Sequence, residues 1–447
     1  MTIAGDQKSD TVDGTFPDTL VITVHDSTGR LSVGTTVELN SGVGFYAYVW
    51  MIPTRPPLPD LGVTGSISDV TDSVGQLKVL VKANAIAGPT RILVRVPAFG
   101  LLDSARYTVL AGGPKEVFSL PADTALQVGK SLAIRVRVID RYGNDRPDPV
   151  TYDGGSGSVT VNGPAVTATA IGRTRVYARS GALADSTLIS VVPPATFAAS
   201  SASGVYLFES DLTGFRKLAP FGSLFIAWNP NGLEVLAARY DLPHMMAFAL
   251  DGTGRQIVDD NPAIPTLYAP QYSANGAFIY YTAQINTPPF GFQVWRANAD
   301  GSAPVALPNI PFVAAGFPSP SPDGKTLVYV DLSGAGLGVL HWYDLVTQTP
   351  LALQVIGHSP HWSPDGQHIA FIQNNHVMLM NPDGSGVQAV TPPGTEWGLN
   401  LSWSHDGLWL LVTALGGRPA LLQLSTGLLL PLAPITNVDL NGLSWKP

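Results

Sequence analysis

The chain contains no cysteine, which removes disulfides, thiolate catalysis and cysteine-ligated zinc from consideration. The compartment stays open, because large β domains can be exported without disulfides. Glutamate and lysine are scarce: Glu38, Glu116, Glu209, Glu234 and Glu396 are the five glutamates, and there are eight lysines in 447 residues. Those types favour helices, whereas the 28 Asp, 46 Gly and 38 Pro favour turns. Charged residues make up 13 %, about half the usual share of a soluble protein. With a formal charge of -8 and no cluster of Lys and Arg, nucleic acid is not an expected partner. The opening MTIAGDQKSD has no apolar stretch of the signal-peptide kind. No transmembrane segment is expected either. The most apolar stretch, Leu408 to Ile435, is broken by Gly416, Gly417, Arg418, Pro419, Gly427 and Pro431 into strand-sized pieces.

Hydrophobic residues account for 45 % of the chain, enough for real cores, so wholesale disorder is excluded. At roughly 150 residues per domain the length suggests about three domains. The composition is that of an all-β protein with many tight turns.

Residues 1–14 are polar and aperiodic and read as a flexible leader. Residues 15–112 read as about seven short alternating strands, among them LVITV (20–24), TVEL (36–39), TRILVRV (90–96) and SARYTVL (104–110). The turn Asp26-Ser27-Thr28-Gly29 follows the first of these, and Pro53 to Pro59 forms a loop that cannot pair inside a sheet. The phrases HDSTGRLSVGTTVEL and TDSVGQLKVLVKANAIAGPTRILVRV resemble the bacterial Ig-like domains of invasin- and intimin-type adhesins. Residues 113–193 repeat the theme, with strict alternation after Gly129 and a turn at Asp140–Gly143. The run Ala170-Ile171-Gly172-Arg173-Thr174-Arg175-Val176-Tyr177-Ala178 is similar to a phrase of a second class of bacterial Ig-like domain. Pro193-Pro194 is a stiff boundary.

From 194 to 447 a repeat takes over. Trp228-Asn229-Pro230-Asn231-Gly232, Tyr272-Ser273-Ala274-Asn275-Gly276, Pro320-Ser321-Pro322-Asp323-Gly324, Trp362-Ser363-Pro364-Asp365-Gly366 and Trp403-Ser404-His405-Asp406-Gly407 align. A sixth copy begins at Trp445-Lys446-Pro447, and the spacings of the first positions are 44, 48, 42, 41 and 42. That is the length of a four-stranded propeller unit. The Pro-Asp-Gly run suits a tight hairpin: Pro presets φ, Asp bonds back to the backbone and Gly supplies positive φ. Each unit carries a second turn further on, at 211–214, 251–252, 300–301, 344–348, 383–384 and 425–427. Five full first turns against six second turns require a split unit. Its inner strand is Gly442-Leu443-Ser444-Trp445 and its other strands are TFAAS (196–200), GVYLFES (204–210) and FRKLA (215–219).

The WSPDG repeats with later Asp-Gly turns resemble the six-bladed TolB-type propeller. The fold expected is therefore all-β: two Ig-like sandwiches (15–112 and 113–193) and a six-bladed propeller (194–447) closed by its C-terminal strand. The resemblance implies a non-catalytic extracytoplasmic binding or scaffold protein, with the Ig pair as spacer and the signal absent from this sequence. The alternatives are a structural subunit of a surface layer or filament, or an enzyme acting on polysaccharide or peptide in the propeller funnel.

Catalytic and metal chemistry find little support. His358, His361, His368, His376 and His405 fall in one stretch, but His358 precedes an inner strand and His405 follows the next one. A strand of about five residues at ~3.3 Å each separates those ends by about 15 Å, whereas metal ligation needs about 2 Å. His358, His376 and His244 alone could share a face. Asn381-Pro382-Asp383-Gly384-Ser385-Gly386 reads as a turn rather than a calcium loop, and no Gly-x-Ser-x-Gly or His-Glu-x-x-His run occurs. No catalytic residue, metal or cofactor is expected. The remaining signal is positional. In an antiparallel unit the first and third connections share one face and are short here. The second connection and the crossover to the next unit share the other, and are long and aromatic. Tyr240, Tyr268, Phe290, Phe312, Glu396 and Trp397 lie in them and are the expected contacts for a protein or glycan partner, with self-association as a further expectation.

Overall fold

The structure is a computed structural model. It describes all of residues 1–447 except 43–48, 54–64, 155–156, 240–244, 259–265, 287–289, 311–314, 332–337, 392–396, 415–417 and 433–439, together with the side chains of Trp50, Pro53, Val258, Trp397, Gly398, Leu399, Ala414 and Asn441. Among the described residues there is no α-helix, and one 3-10 turn, Pro97–Phe99, interrupts the strands. The chain forms two compact units: residues 1–120, 135–153 and 177–186 make the first, and residues 121–134, 154–176 and 187–447 the second. The strands of region 113–193 are thus distributed over both.

In the first unit, Thr2–Ala4, Leu20–Thr23, Gln76–Ala83 and Val49–Pro53 lie side by side in one sheet. Lys8–Thr11, Leu101–Leu110, Gly88–Val96, Thr36–Asn40 and Ser66–Val70 form a second. Alternate residues of both, such as Leu20, Ile22, Val79 and Val81 from one and Val37, Leu39, Ile92, Val94 and Tyr107 from the other, are buried in one apolar cluster. That is the period-2 pattern of two sheets sharing a core. Three hairpins use the same chemistry. Asp26 Oδ1 accepts the amides of Thr28 and Arg30, Asp72 Oδ1 those of Val74 and Gln76, and Asp140 Oδ1 those of Tyr142 and Asn144. Gly29, Gly75 and Gly143 take the left-handed φ each turn needs (82°, 67° and 85°).

The opening segment departs from the expected flexible leader. Thr2–Ala4 pairs antiparallel with residues of the Leu20–Thr23 strand, and Lys8–Thr11 runs parallel to the last four residues of Leu101–Leu110. Ladder pairing uses backbone groups, so a polar sequence suffices where alternate side chains face out. Val12 and Phe16 then enter the core.

Among the described residues of the second unit, six four-stranded antiparallel sheets follow one another. Numbered round the unit, their inner strands are Leu440–Trp445 (sheet 1), Ser223–Trp228 (sheet 2), Thr266–Tyr272 (sheet 3), Ala315–Pro320 (sheet 4), His358–Trp362 (sheet 5) and Trp397–Trp403 (sheet 6). Sheet 1 joins the C-terminal strand to Thr196–Ser201, Gly204–Glu209 and Arg216–Ala219, with Phe197 opposite Trp445. Each inner strand lies against the next, and that of sheet 6 returns to Leu440–Trp445, so the inner strands close a ring. Closure leaves only outer edges, the arrangement of a β-propeller.

The repeat residues explain both the hairpins and the joints between sheets. Ser321, Ser363 and Ser404 each donate a 2.6 Å hydrogen bond to the Asp two residues on, and Ser273 donates one of 2.8 Å to Asn275. The same hydroxyls accept the amides of Thr326, His368, Trp409 and Phe278, which locks the start of the next strand. Between sheets, the residue before the first repeat position acts as a latch. Ser444, Ser319 and Ser402 hydroxyls accept the amides of Trp228, Trp362 and Trp445 in the following sheet. The indoles of Trp228 and Trp403 donate to the carbonyls of Ser444 and His361.

Candidate functional site

The inner strands have two ends. One carries the Ser-Asp hairpins. The other, where the crossovers and second connections meet, is irregular and begins with a β-bulge in each inner strand of sheets 2 to 6. The bulge sits three residues before the first repeat position, at Phe225, Ala269, Phe317, Ser359 and Asn400, with Gly442 the corresponding residue in sheet 1. Ala269, Phe317 and Ser359 adopt left-handed φ (45°, 56° and 49°) and each precedes a proline, which has no amide to give the ladder. The bulge turns these residues toward the ring axis, where all six line a narrow channel of about 60 Å³ together with Gln271, His361, Ser402 and Ser444. That is room for a few water molecules. His361 borders this void, and burial pushes its imidazole down to about 4, so it is neutral at physiological pH.

Two of the six bulge residues are phenylalanine. Phe225 and Phe317 meet edge to face, centroids 5.5 Å apart, across the small side chain of Ala269 in the sheet between them. They separate the channel from a wider cavity of about 320 Å³ at the crossover end, lined by Leu224, Phe225, Tyr268, Thr282, Phe292, Gly316 and Phe317. Tyr268 and Phe292 form a second edge-to-face pair at 6.0 Å. The Tyr268 hydroxyl donates to Gln284 Oε1 at 3.2 Å, and Thr282 Oγ1 accepts the Phe317 amide at 3.0 Å. A more polar recess adjoins it, sharing Leu224, Phe225 and Tyr268 and adding Arg239 and Thr266. The Arg239 guanidinium lies 4.7 Å over the Phe221 ring.

Of the expected contact residues, Tyr268 is half-buried in the cavity wall. Phe290 stands 65 % exposed, one residue before the Gly291–Asn298 strand that carries Phe292, and does not line the cavity. Trp397 opens the inner strand of sheet 6 at the same end, its side chain lying outside the described residues. Tyr240, Phe312 and Glu396 lie outside the described residues altogether. Phe225, Phe292 and Phe317 were not singled out in the sequence, yet the repeat carried a signal. Three residues before the first repeat position the alignment reads Phe, Ala, Phe, Ser, Asn, Gly, a break in an otherwise regular unit.

Among the described residues the histidines do not converge, and His244 lies outside them. His358 opens an inner strand and His376 a third strand, while His405 lies in a hairpin. Among the described residues no group of three or more His, Asp or Glu is placed to share a metal ion. Asp383 accepts the Ser385 amide and hydroxyl within its turn. No helix among the described residues is long and apolar enough to cross a membrane.

The chain matches no protein-family model and no curated protein sequence. Among solved structures it is similar to TolB from Acinetobacter baumannii (TM-score 0.49, 16 % identity, 67 % of this chain and 83 % of that one). It is also similar to a putative TolB from Agrobacterium tumefaciens (TM-score 0.46, 14 % identity, 57 % and 100 %) and to a chain of a nidogen/laminin complex (TM-score 0.47, 10 % identity, 57 % and 98 %). Identities this low assign no residue a role; the site rests on the geometry above.

Proposed function

We propose that this chain is a non-catalytic extracytoplasmic binding protein. A six-bladed TolB-type propeller head recognises a protein or glycan through its crossover face, and Ig-like domains at 15–112 and 113–193 serve as spacer. The observation that carries the reading is the aromatic cavity at one end of the ring, set against hairpins at the other end whose polar groups are consumed by their own turns. Recognition surfaces concentrate on irregular loops held by a rigid scaffold, and large aromatics dominate their energetics. The test begins with isolation of a partner by the full chain from extracytoplasmic extracts. Tyr268→Ala and Trp397→Ala are then expected to weaken binding by about 1–2 kcal/mol each without loss of fold. Normal binding by both variants, with loss on changing Asp323 or Asp365, would place recognition at the hairpin end and overturn the proposal.

A second reading, self-association through sheet 4, has its own observation. The outer strands of the other five sheets run two to five residues, whereas that of sheet 4, Thr349–Ile356, runs eight, contains no charge and exposes Leu351 (60 %) and Ile356 (47 %). A long uncharged edge invites pairing with another strand. Light scattering of the full chain against Leu351→Lys separates the readings: a dimer or filament lost in the variant supports self-association, and a monomer in both removes it.

A further inference from the structure

We propose that the first unit holds a binding site of its own, apart from the propeller: a recess built on two opposed arginines that takes the anionic group of an acidic glycan. The site follows from strand register. Gly88–Val96 and Leu101–Leu110 form a hairpin paired without a bulge from Gly88 opposite Val109 to Val96 opposite Leu101. Ile92, Val94, Ala105 and Tyr107 turn into the core, so Arg91 and Arg106 stand on the other face of the sheet, where both are exposed. The ladder sets Arg91 directly opposite Arg106. Side chains so placed are neighbours, and like charges there repel. Among the described residues no carboxylate lies within ion-pair reach of either guanidinium. The charges nearby are spent elsewhere: Arg95, four residues along the same strand face, meets Glu38 at 3.6 Å, and Lys8 meets Asp18 at 2.7 Å. Asp6 Oδ2 accepts the main-chain amide of Arg106 at 3.4 Å.

Both arginines line one open recess of about 670 Å³, together with Gln7, Thr90 and Thr108. Gln7 holds a left-handed φ of 57°, uncommon for a residue other than glycine, and its amide donates to the Arg106 carbonyl at 2.6 Å, which fixes the rim. Two guanidinium forks facing each other close on one carboxylate, sulfate or phosphate group, and such a group supplies the charge that the ladder lacks. The hydroxyls of Thr90 and Thr108 and the amide of Gln7 can donate and accept, which suits a hydroxylated carrier for that group. The recess is open rather than enclosed by apolar walls, as an extended chain requires. Nucleic acid would need many more cations along its phosphates. An anionic bilayer is read by clusters of about four to eight Lys and Arg, more than the two free here. The uninterrupted hairpin holds both arginines in place before any ligand arrives.

The test uses the full chain and four probes: dextran sulfate, the same dextran without sulfate, inorganic sulfate, and phosphatidylcholine vesicles with and without phosphatidylglycerol. Dextran sulfate is expected to bind saturably by calorimetry at low salt, and plain dextran not to bind. Arg91→Gln and Arg106→Gln are each expected to lower the affinity for dextran sulfate at least about fivefold, the loss of a charge-assisted contact. Arg95→Gln, whose charge Glu38 already answers, and Arg173→Gln, an exposed arginine of the Gly172–Ser180 strand, are expected to change it less than about twofold. All four replace exposed side chains and are expected to keep the wild-type melting transition; if one of the opposed pair does not, the other decides. Binding that Arg91→Gln and Arg106→Gln leave unchanged, or that Arg173→Gln lowers equally, is an effect of net charge and overturns the proposal. Arginine-dependent binding of inorganic sulfate alone, or of phosphatidylglycerol vesicles but not dextran sulfate, gives the recess to a free ion or a lipid headgroup and overturns the glycan assignment. Silence from every probe overturns it as well. The crossover-face reading stands or falls separately, on Tyr268→Ala and Trp397→Ala.

Discussion

The two ends of the inner strands are made from the same repeat, yet only one of them repeats. At the hairpin end Ser321, Ser363 and Ser404 make the same 2.6 Å bond to an Asp and accept the same amide, turn after turn. Hydrogen bonds from the Ser hydroxyl and from a backbone amide hold Asp323 and Asp365 below the usual carboxylate range, the Ser hydroxyl contributing most. At the crossover end the equivalent positions hold Phe225, Ala269, Phe317, Ser359, Asn400 and Gly442, and the ring has a different lining on each side of its axis. What is constant round the ring builds it. What varies at a fixed position gives the ring axis its uneven lining.

The comparison breaks most severely where a joint between sheets is lost. Trp228 is 5 % exposed, packs among Val205, Ile226 and Phe248, and donates its indole N–H to Ser444 in the preceding sheet. Trp228→Ala is expected to cost about 3–5 kcal/mol in urea unfolding, as for other large buried aromatics. Trp445 is only half-buried, though it meets Phe197 edge-on at 4.9 Å, so Trp445→Ala is expected to cost less than Trp228→Ala. The reverse order would mean that ring closure depends chiefly on the C-terminal strand.

The next effect is set by pH. His361 has a folded-state value of about 4 against an ordinary 6.5, so between these values the unfolded chain binds more protons than the folded one. Stability is full above about pH 6.5 and declines as the pH falls toward 4, by up to about 3 kcal/mol. His358 and His341 are also pushed down by burial and act in the same direction. His361→Asn is expected to flatten the slope of unfolding free energy between pH 6.5 and 4; an unchanged slope would show that the imidazole is solvated through the channel.

At the hairpins the expected losses are smaller. Ser404→Ala removes the bond to Asp406 and leaves the buried Trp409 amide without its hydroxyl acceptor, at about 1–2 kcal/mol. Ser363→Ala is expected to match it, because the turn is the same. Unequal values would mean that the repeat in sequence is not a repeat in energy.

Much of this was legible in the sequence. The 41–48 residue spacing and the mismatch of five full first turns with six second turns required a sheet shared between the two ends of the repeat region, and Phe197 does lie opposite Trp445. The hairpins were legible because turn chemistry is local. The order of residues 2–11 was not, since ladder bonds are indifferent to the side chains that made the segment look unstructured. Nor was packing across Pro193-Pro194: Ala125 and Val192 share a cluster with Phe197, Trp409 and Leu421, and Arg418 pairs with Asp123 at 2.8 Å. Contacts at a separation of 295 residues leave no local pattern. Tyr268 was read as a crossover-loop residue but lies inside the inner strand Thr266–Tyr272, as Phe225 and Phe317 lie inside theirs, where an aromatic reads as core.

The smallest expected effect on stability is the sharpest test of the two ends. Phe290 at the crossover end is 65 % exposed, and Leu408 at a hairpin is 55 % exposed. Each is an apolar side chain whose removal costs the fold little, so Phe290→Ala and Leu408→Ala are both expected to stay within about 0.5 kcal/mol of the wild type. Scattered exposed apolar residues are ordinary on any surface, and stability alone cannot tell these two apart. Binding can. Phe290 stands two residues from Phe292 in the cavity wall, so a partner anchored in the cavity reaches it, whereas Leu408 follows a turn whose polar groups are already satisfied. A partner is expected to lose about 1 kcal/mol on Phe290→Ala and nothing on Leu408→Ala. Equal losses would mean that the partner spans both ends of the ring, and a loss on Leu408→Ala alone would reverse the assignment of the recognition face.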